Sequence, residues 1–254
     1  MKLEEFSSFV QELLKETGRI IISHYSDQNL QIESKEDATP VTRADREVEA
    51  YLRKIIEKTY PHHGIVGEEY GSMSENAEYV WLLDPIDGTH SFVTKVPLFG
   101  TVLCLKKRGV PLLGAIHQPI MNLLMIGDDN QTTLNDRLVK VRTTEEMGRS
   151  TILTSDDLNA QRRFGKDNWE NLVNKAALYR TWGDCFGYLS LASGNADVMI
   201  DPIVNPWDFH AMIPIIRGAG GMITDHKGND ALKGNSVIAS NHKLHPLIID
   251  HLAG

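Results

Sequence analysis

One run of residues constrains the fold of this chain more than any other: Trp81-Leu82-Leu83-Asp84-Pro85-Ile86-Asp87-Gly88-Thr89. Consecutive apolar residues that end at turn formers predict a buried strand that stops at Asp84-Pro85. The strand end presents two carboxylates, which can share a divalent cation. An Asx turn explains the two acids equally well, because Asp-Pro and Asp-Gly are common in loops. The run therefore predicts a buried strand with either a metal site or a simple turn at its end.

Helical periodicity is strong near the N-terminus. One amphipathic helix is predicted by apolar residues at helical spacings: Leu3, Phe6, Val10, Leu13, Leu14 and Ile21. A second helix is predicted to follow Asp45 and to end before Pro61. Residues 35–45, between the two helices, are rich in turn formers and predict an ordered but mobile loop.

Strands and helices alternate in the rest of the chain. Two apolar runs, 101–105 and 112–116, are joined across Lys107-Arg108-Gly109 and predict a hairpin. Helices are predicted at 188–192 and 208–217, and a glycine-rich turn ends the second one.

This element order predicts an α/β fold in which sheets and helices form layers. The chain has 254 residues, enough for one large domain or two closely packed ones. A polar stretch near residues 135–150 predicts a division into two halves, residues 1–140 and 141–254. The first half carries most of the candidate metal ligands.

Composition limits the expected partners and compartment. Asp and Glu number 34 against 26 Lys and Arg, which gives a net charge of -8, so duplex nucleic acid is not an expected partner. Cys104 and Cys185 lack metal-type spacing, which is typical of a protein of the reducing cytoplasm. The glutamate-containing N-terminus is unlike a signal peptide, and the apolar runs are too short to span a membrane. We therefore expect a cytoplasmic protein without a membrane partner.

Further acidic residues stand at the ends of predicted elements. Glu68 and Glu69 follow the apolar pair Ile65-Val66, and Asp208 lies in the first turn of a predicted helix. Taken singly, the glutamates are explained as solvated acids and Asp208 as a helix cap. Taken together with the acids of the 81–89 run, they suggest an oxygen-lined site for more than one metal ion. The start of a helix after Gly88 would add N–H groups that suit a phosphate.

Three motifs, Gly67-Glu68-Glu69, Asp84 to Thr89 and Trp207-Asp208, resemble those of the inositol monophosphatase family in order and spacing. That family consists of magnesium-dependent, lithium-sensitive phosphatases, and the resemblance extends from Lys35 to Gly221. It implies an α-β-α-β-α sandwich, commonly a homodimer. It also implies two or three Mg²⁺ ions per active site, with Mn²⁺ able to substitute, and a small phosphorylated metabolite as substrate.

The resemblance implies a role for each residue that matches a family motif. The implied metal ligands are the side chains of Glu68, Asp84, Asp87 and Asp208 and the carbonyl of Ile86. The implied water-orienting residues are Asp45 and Thr89, with Glu68 acting on the same water through its metal. The implied phosphate ligands are the backbone N–H groups of Gly88, Thr89 and His90. Lys35 matches a loop lysine of the family after a one-residue gap, and Glu69 is implied to support the ligands.

Residues 179–188 resemble the histidinol-phosphate phosphatase branch of the family more than the inositol branch. One departure is His90, where that branch often has arginine. The implied substrate contacts are Arg180, Asp184 and Asp201. Trp182 either offers an aromatic face to the substrate or packs as core. Two carboxylates suit the ammonium and imidazole of L-histidinol phosphate, whereas inositol offers only hydroxyl groups.

The sequence thus predicts a magnesium-dependent phosphomonoesterase that hydrolyses L-histidinol phosphate, a step of histidine biosynthesis, by attack of a metal-activated water. Inositol 1-phosphate and a 3′-phosphonucleotide stay open as alternative substrates. A protein of another class, which keeps this fold to bind a metabolite without catalysis, is disfavoured. Such a binder would need neither Asp45 nor Thr89 merely to hold metal.

Overall fold

The computed structural model describes residues 3–27, 32–34 and 40–253. The helices within these ranges are α1 (Leu3–Tyr25), α2 (Arg43–Thr59), α3 (Thr89–Val93), α4 (Asp157–Phe164), α5 (Lys166–Val173), α6 (Asp184–Ala192), α7 (Pro206–Phe209), α8 (Met212–Gly218) and α9 (Leu244–Ala253). Both predicted N-terminal helices are confirmed. Their apolar stripes, which include Phe6 and Ile21 in α1 and Val48 and Leu52 in α2, are fully buried.

The strands form two main sheets and a small ribbon. In chain order they are β1 (Ile32–Ser34), β2 (Pro40–Thr42), β3 (Gly64–Gly67), β4 (Gly71–Met73), β5 (Tyr79–Asp87), β6 (Gly100–Lys107), β7 (Val110–Gln118), β8 (Leu123–Gly127), β9 (Thr132–Leu134), β10 (Arg137–Leu138), β11 (Thr151–Thr154), β12 (Leu178–Arg180), β13 (Val198–Asp201), β14 (Met222–Thr224) and β15 (Val237–Ser240). The larger sheet has the order β10-β9-β8-β7-β6-β5-β3-β4, and the smaller sheet β12-β11-β13-β15-β14. β3 and β5 are parallel neighbours, as are β11 and its two partners.

Helices and sheets alternate in five layers. α1 and α2 cover the outer face of the larger sheet, where Phe6 and Leu52 share a core with Trp81. α6 and α8 fill the space between the two sheets, and α4, α5 and α9 cover the outer face of the smaller one. The sequence of β5 is continuously apolar because both faces of the strand are covered. Trp81 packs in the core under α1 and α2, and Leu82 packs in the core between the two sheets. The predicted layered α/β fold is confirmed.

Two element boundaries near the acids differ from the prediction. β5 does not stop at Asp84-Pro85 but continues to Asp87, because an irregularity in its pairing with β6 accommodates Pro85, which has no N–H to donate. α2 begins at Arg43, so Asp45 lies in its first turn and not in a loop, because Thr42 caps the helix.

The second half shows one further correction. The single helix predicted at 208–217 is wrong, because α7 ends at Phe209 and α8 begins at Met212. Pro214 explains the break, since it cannot donate to the carbonyl of His210. The hairpin between β6 and β7 is confirmed, and its turn uses positive φ angles at Arg108 and Gly109. Among the described helices, none combines the length and apolar character needed to cross a membrane.

Candidate active site

The acids of the three motifs converge at one edge of the larger sheet. Glu68 follows β3, and its N–H donates at 3.2 Å to the carbonyl of Leu83, the residue before Asp84 in β5. α7 packs against β5 and carries Asp208. The carboxylates close enough to raise the pKa of Asp84 are those of Glu68, Asp87, Asp208 and Asp45. Residues from four separate stretches of sequence thus surround one point.

Asp84 is the most constrained of these acids. Its side chain is only 2% exposed, and its Oδ1 atom has no hydrogen-bond partner. Burial raises the pKa of Asp84 well above its usual range, and the neighbouring carboxylates raise it further. A buried carboxylate oxygen without a donor is costly, and a cation is the partner that would satisfy it.

Asp87 and Asp208 are each held by one backbone donor. The N–H of Cys185, at the start of α6, donates to Asp87 Oδ2 at 2.5 Å, and the N–H of Asn205 donates to Asp208 Oδ2 at 2.7 Å. Burial raises the pKa of Asp87 well above its usual range, and it raises the pKa of Asp208 to about 7. The capping role expected for Asp208 is therefore confirmed. A cap uses only part of the carboxylate, so it does not exclude a metal ligand.

Asp45 and Thr89 were expected to orient a water between them. Asp45 is 1% exposed, and its Oδ2 atom accepts from the N–H and the hydroxyl of Thr42 at 2.8 and 2.6 Å. Burial raises the pKa of Asp45 to about 6. The hydroxyl of Thr89 donates at 3.0 Å to the carbonyl of Ile86. No direct hydrogen bond joins Asp45 to Thr89, and the water-orienting role stays a prediction.

The backbone after β5 has the form that the predicted phosphate site needs. Gly88 has a φ of 86°, and a Cβ atom there would lie 2.8 Å from the carbonyl oxygen of Leu98. Only glycine fits such a place. Thr89 and His90 form the first turn of α3, as predicted, where N–H groups have no partner inside the helix. These groups are therefore available to an anion.

A cavity of about 40 Å³ opens beside the acid cluster. Its lining residues are Asp87, Ser155, Asp184, Tyr188, Asp201, Ile203, Val204 and Asp208. Two predicted metal ligands thus share one cavity with two predicted substrate contacts, and four carboxylates face it.

Asp201 is anchored by two residues that the sequence reading missed. The hydroxyl of Tyr188 donates to Asp201 Oδ2 at 2.6 Å, and the hydroxyl of Ser155 donates to Oδ1. Burial raises the pKa of Asp201 to about 6, although both hydrogen bonds oppose that shift. The sequence places Tyr188 in a predicted helix and in the 179–188 segment but gives it no contact with Asp201, and nothing in the sequence marks Ser155. The pairing depends on β11 and β13 being parallel neighbours.

Asp184 sits in an unusual backbone conformation. It has a φ of 51°, a left-handed value that is uncommon for residues other than glycine and often marks a functional site. A Cβ atom on Gly88 would lie 3.1 Å from Asp184 Oδ2, so this carboxylate reaches the start of α3. Burial raises the pKa of Asp184 to about 7, and the charge of Asp201 contributes.

The remaining predicted residues differ in their placement. Arg180 lies over the ring of Trp182 at 6.0 Å, but neither residue lines the cavity. Trp182 is 45% exposed, so the interpretation of its side chain as core is wrong. Glu69 is half-buried beside Glu68, and its N–H donates to the carboxylate of Glu49 in α2. Lys35 lies outside the described residues.

The donor set fits a hard divalent cation in its chemistry. Clustered carboxylates and the carbonyl of Ile86 are oxygen ligands of the kind that Mg²⁺ prefers, and Asp84 Oδ1 is a buried acceptor without a hydrogen-bond partner. Within the part of the chain that the structure describes, no three Asp, Glu, His or Cys side chains are placed so that they could hold one metal ion together. The metal site therefore stays a prediction that the donor chemistry favours.

The layered fold and this buried acid cluster are those of an α/β protein with an acidic site, and comparison with known proteins gives its class, the phosphatases. The chain belongs to the inositol monophosphatase family, whose sequence profile matches residues 2–253. It is 34% identical to the histidinol-phosphatase of Chlorobaculum parvum, over 92% of this chain and 91% of that protein. It is 28% identical to an inositol monophosphatase of Dictyostelium discoideum, over 98% and 96%. A solved structure of an inositol monophosphatase from Zymomonas mobilis superimposes with a TM-score of 0.88 at 29% identity, over 100% of both chains.

These comparisons confirm the expected family and fold. The protein is a phosphoric monoester hydrolase of a family that is generally metal-dependent and acts on small phosphorylated substrates. Relatives named for histidinol phosphate and for inositol phosphate both match over most of the chain, so family membership alone does not choose the substrate.

Proposed function

We propose that this protein hydrolyses L-histidinol phosphate to L-histidinol and phosphate. The observation that carries the proposal is the pair of carboxylates, Asp184 and Asp201, that face the cavity in addition to the predicted metal ligands. Neither is needed to hold a cation at Asp84. A second acidic pair beyond a metal site favours a leaving group with positive charge.

The charge argument rests on what each substrate offers. Histidinol phosphate carries an ammonium and an imidazole that titrates near neutral pH, and both can donate charge-assisted hydrogen bonds to carboxylates. Inositol offers neutral hydroxyl groups, and one carboxylate can accept hydrogen bonds from two neighbouring hydroxyls. Asp201 therefore suits either substrate, whereas Asp184 adds a second charge that a neutral polyol does not require.

Magnesium fits the acid cluster, and the residues that would hold it are Glu68, Asp84, Asp87, Asp208 and the carbonyl of Ile86. When bound, such ions lower the pKa of water and neutralise charge on the phosphate. In this proposal two or three ions bind at each site.

The protein's own groups complete the reaction centre. The N–H groups of Gly88, Thr89 and His90 bind phosphate oxygens, because the first turn of α3 leaves them without partners. Asp45 accepts a hydrogen bond from the attacking water through Oδ1, because Oδ2 already accepts two hydrogen bonds from Thr42. The Thr89 hydroxyl can leave the Ile86 carbonyl to contact the same water. Both residues act by orientation, which is a large part of enzymatic rate enhancement.

The test compares kcat/KM for histidinol phosphate, inositol 1-phosphate and a 3′-phosphonucleotide at one fixed concentration of Mg²⁺. We expect histidinol phosphate to be the best substrate. Asp184→Asn should lower kcat/KM for histidinol phosphate by about 10- to 100-fold, the value of one hydrogen bond to a charged group, and should affect inositol 1-phosphate less. Asp250→Asn, an exposed acid of α9, is the matched control. Equal or better efficiency on inositol 1-phosphate would overturn the substrate assignment.

Inositol monophosphatase activity is the second candidate, and the Dictyostelium relative favours it. The anchored carboxylate of Asp201 is its structural basis, because two hydroxyl donors leave it free to accept from a vicinal diol on its remaining lone pairs. If no phosphomonoester is hydrolysed in the presence of Mg²⁺, the metabolite-binding alternative is favoured instead.

We also propose a homodimer, which light scattering at micromolar concentration tests.

A further inference from the structure

A buried ion pair on α2 lies behind the loop that carries Glu68. The carboxylate of Glu49 is 0% exposed, and the guanidinium of Arg53 is 13% exposed and donates through Nε to Glu49 Oε1 at 2.8 Å. The two residues follow Asp45 at intervals of four, so all three lie on one face of the helix. A buried ion pair costs desolvation energy and is weak support for stability alone, which suggests another role.

The pair binds the backbone directly after Glu68. Glu49 Oε2 accepts from the N–H of Glu69 at 2.7 Å, and Oε1 accepts from the N–H of Tyr70 at 3.2 Å. The guanidinium of Arg53 donates through Nη2 to the carbonyl of Gly71. Both turn residues after Glu68 and the first residue of β4 are therefore fixed to α2.

The residue before Glu68 is shaped for this contact. A Cβ atom on Gly67 would lie 2.0 Å from Glu49 Oε1 and 2.8 Å from Arg53 Nη2, so only glycine lets the carboxylate approach the turn. On its other side, the N–H of Glu68 donates to the carbonyl of Leu83 in β5. Glu68 is thus held between α2, which carries Asp45, and the strand that carries Asp84.

We propose that Glu49 and Arg53 are positioning residues that fix the Glu68 carboxylate at the distance from Asp84 and Asp45 that metal binding requires. The inference rests on the proposed function in one respect, that Glu68 binds metal. Residues that orient metal ligands without touching the metal typically change affinity by about 10- to 100-fold when mutated. We therefore expect substitution of Glu49 or Arg53 to weaken metal binding by a factor of that size.

The test measures the affinity of the full-length protein for Mn²⁺. The electron paramagnetic resonance signal of unbound Mn²⁺ gives the free concentration at each point of a titration. Glu49→Gln keeps the side-chain shape but replaces one acceptor oxygen with an amide that faces a donor. We expect its Kd for Mn²⁺ to rise by about 10- to 100-fold, and the half-saturating Mg²⁺ concentration for phosphatase activity to rise in parallel. Glu12→Gln, at an exposed glutamate of α1, is the matched control and should leave both unchanged.

Each outcome decides the role. A folded Glu49→Gln variant that binds Mn²⁺ within twofold of the wild type would overturn it, even with a lowered melting temperature, because a merely structural pair changes stability without changing affinity. If Glu49→Gln does not fold, Arg53→Lys replaces it, since lysine has one nitrogen in place of the Nε and Nη2 donors that bind Glu49 and Gly71 separately. A fivefold or larger loss of affinity supports the role, and a smaller one overturns it.

The two proposals fail in different ways. A wild-type protein that binds no Mn²⁺ overturns the metal site and this positioning role together. A wild-type protein that binds Mn²⁺, loses affinity in Glu49→Gln and yet hydrolyses no phosphomonoester overturns the proposed function and leaves the positioning role supported.

Discussion

Replacing Asp84 by asparagine should have opposite effects on the metal-free and the metal-loaded protein. Asp84 is buried, its Oδ1 atom has no donor, and neighbouring carboxylates raise its pKa. Asparagine removes the charge and supplies an amide N–H₂ group that can donate to those neighbours. The metal-free protein should therefore gain stability, by about 1–3 kcal/mol if the unsatisfied oxygen is the cost removed.

The metal-loaded protein should lose stability by the same substitution. A metal present at 1,000 times its Kd stabilises the folded state by about 4.1 kcal/mol. A variant that no longer binds it loses this amount and regains about 1–3 kcal/mol, which is a net loss of about 1–3 kcal/mol. For a chain of this size, 1 kcal/mol corresponds to a change in melting temperature of about 2–4 °C. The melting temperature of Asp84→Asn should thus lie above that of the wild type in chelator and below it in saturating Mg²⁺.

Differential scanning calorimetry in both conditions, together with phosphatase assays, checks this reversal. Turnover should fall far more than tenfold, because a change of only about 1.4 kcal/mol in the barrier would not fit a residue at the reacting centre. Asp250→Asn should behave as the wild type throughout. If Asp84→Asn lowers the melting temperature equally in chelator and in Mg²⁺, the residue is a structural acid and the reasoning is refuted.

Three further predictions follow from contacts in the structure. Tyr188→Phe should lower the free energy of unfolding, measured in urea at pH 8, by about 1.5–3 kcal/mol, because it removes a donor from the buried Asp201 carboxylate. A decrease below about 0.5 kcal/mol would contradict the contact. Gly67→Ala should cost about 1–3 kcal/mol by pushing Glu49 away, whereas Gly148→Ala, whose nearest neighbour lies at 4.0 Å, should be neutral. Burial raises the pKa of Asp201 to about 6 from its usual 3.8, so between these pH values the folded form keeps a proton that the unfolded chain has released, and the contribution of this group to stability falls as the pH rises. In metal-free protein, the change in the free energy of unfolding from pH 5 to pH 8 should therefore be more favourable in Asp201→Asn than in the wild type, and equal changes by calorimetry would contradict this.

The sequence predicts most of this site because its residues stand in short local patterns. The apolar run before Asp84 is continuous because β5 is covered on both faces, and the same burial is what makes the acids at its end chemically unusual. Asp208 is recognisable from its place after Asn205-Pro206, where an acid caps a helix. Local patterns therefore report local structure and, through burial, some chemistry.

Residues that act across the fold leave no such pattern. Ser155 reaches Asp201 only because β11 and β13 pair in parallel, and Glu49 reaches the Glu68 loop only because α2 packs on the larger sheet. The predicted end of β5 at Asp84-Pro85 is also wrong, because an irregularity in the pairing with β6 accommodates Pro85 within the strand. These features depend on contacts between distant parts of the chain, which spacing along the sequence does not encode.

The middle layer has a consequence for how the protein is made. α6 and α8 pack against both sheets, and the core that they share joins residues from β5 and β6 to residues from β13 and β15. Asp84 and Asp87 leave the ribosome long before Asp208 does, and β15 follows later still. The acid cluster is therefore incomplete in every nascent chain that lacks α7. If Asp208 binds metal as we propose, such a chain has no phosphatase activity. On that proposal, turnover reports only chains in which α7 has been made and has packed against β5.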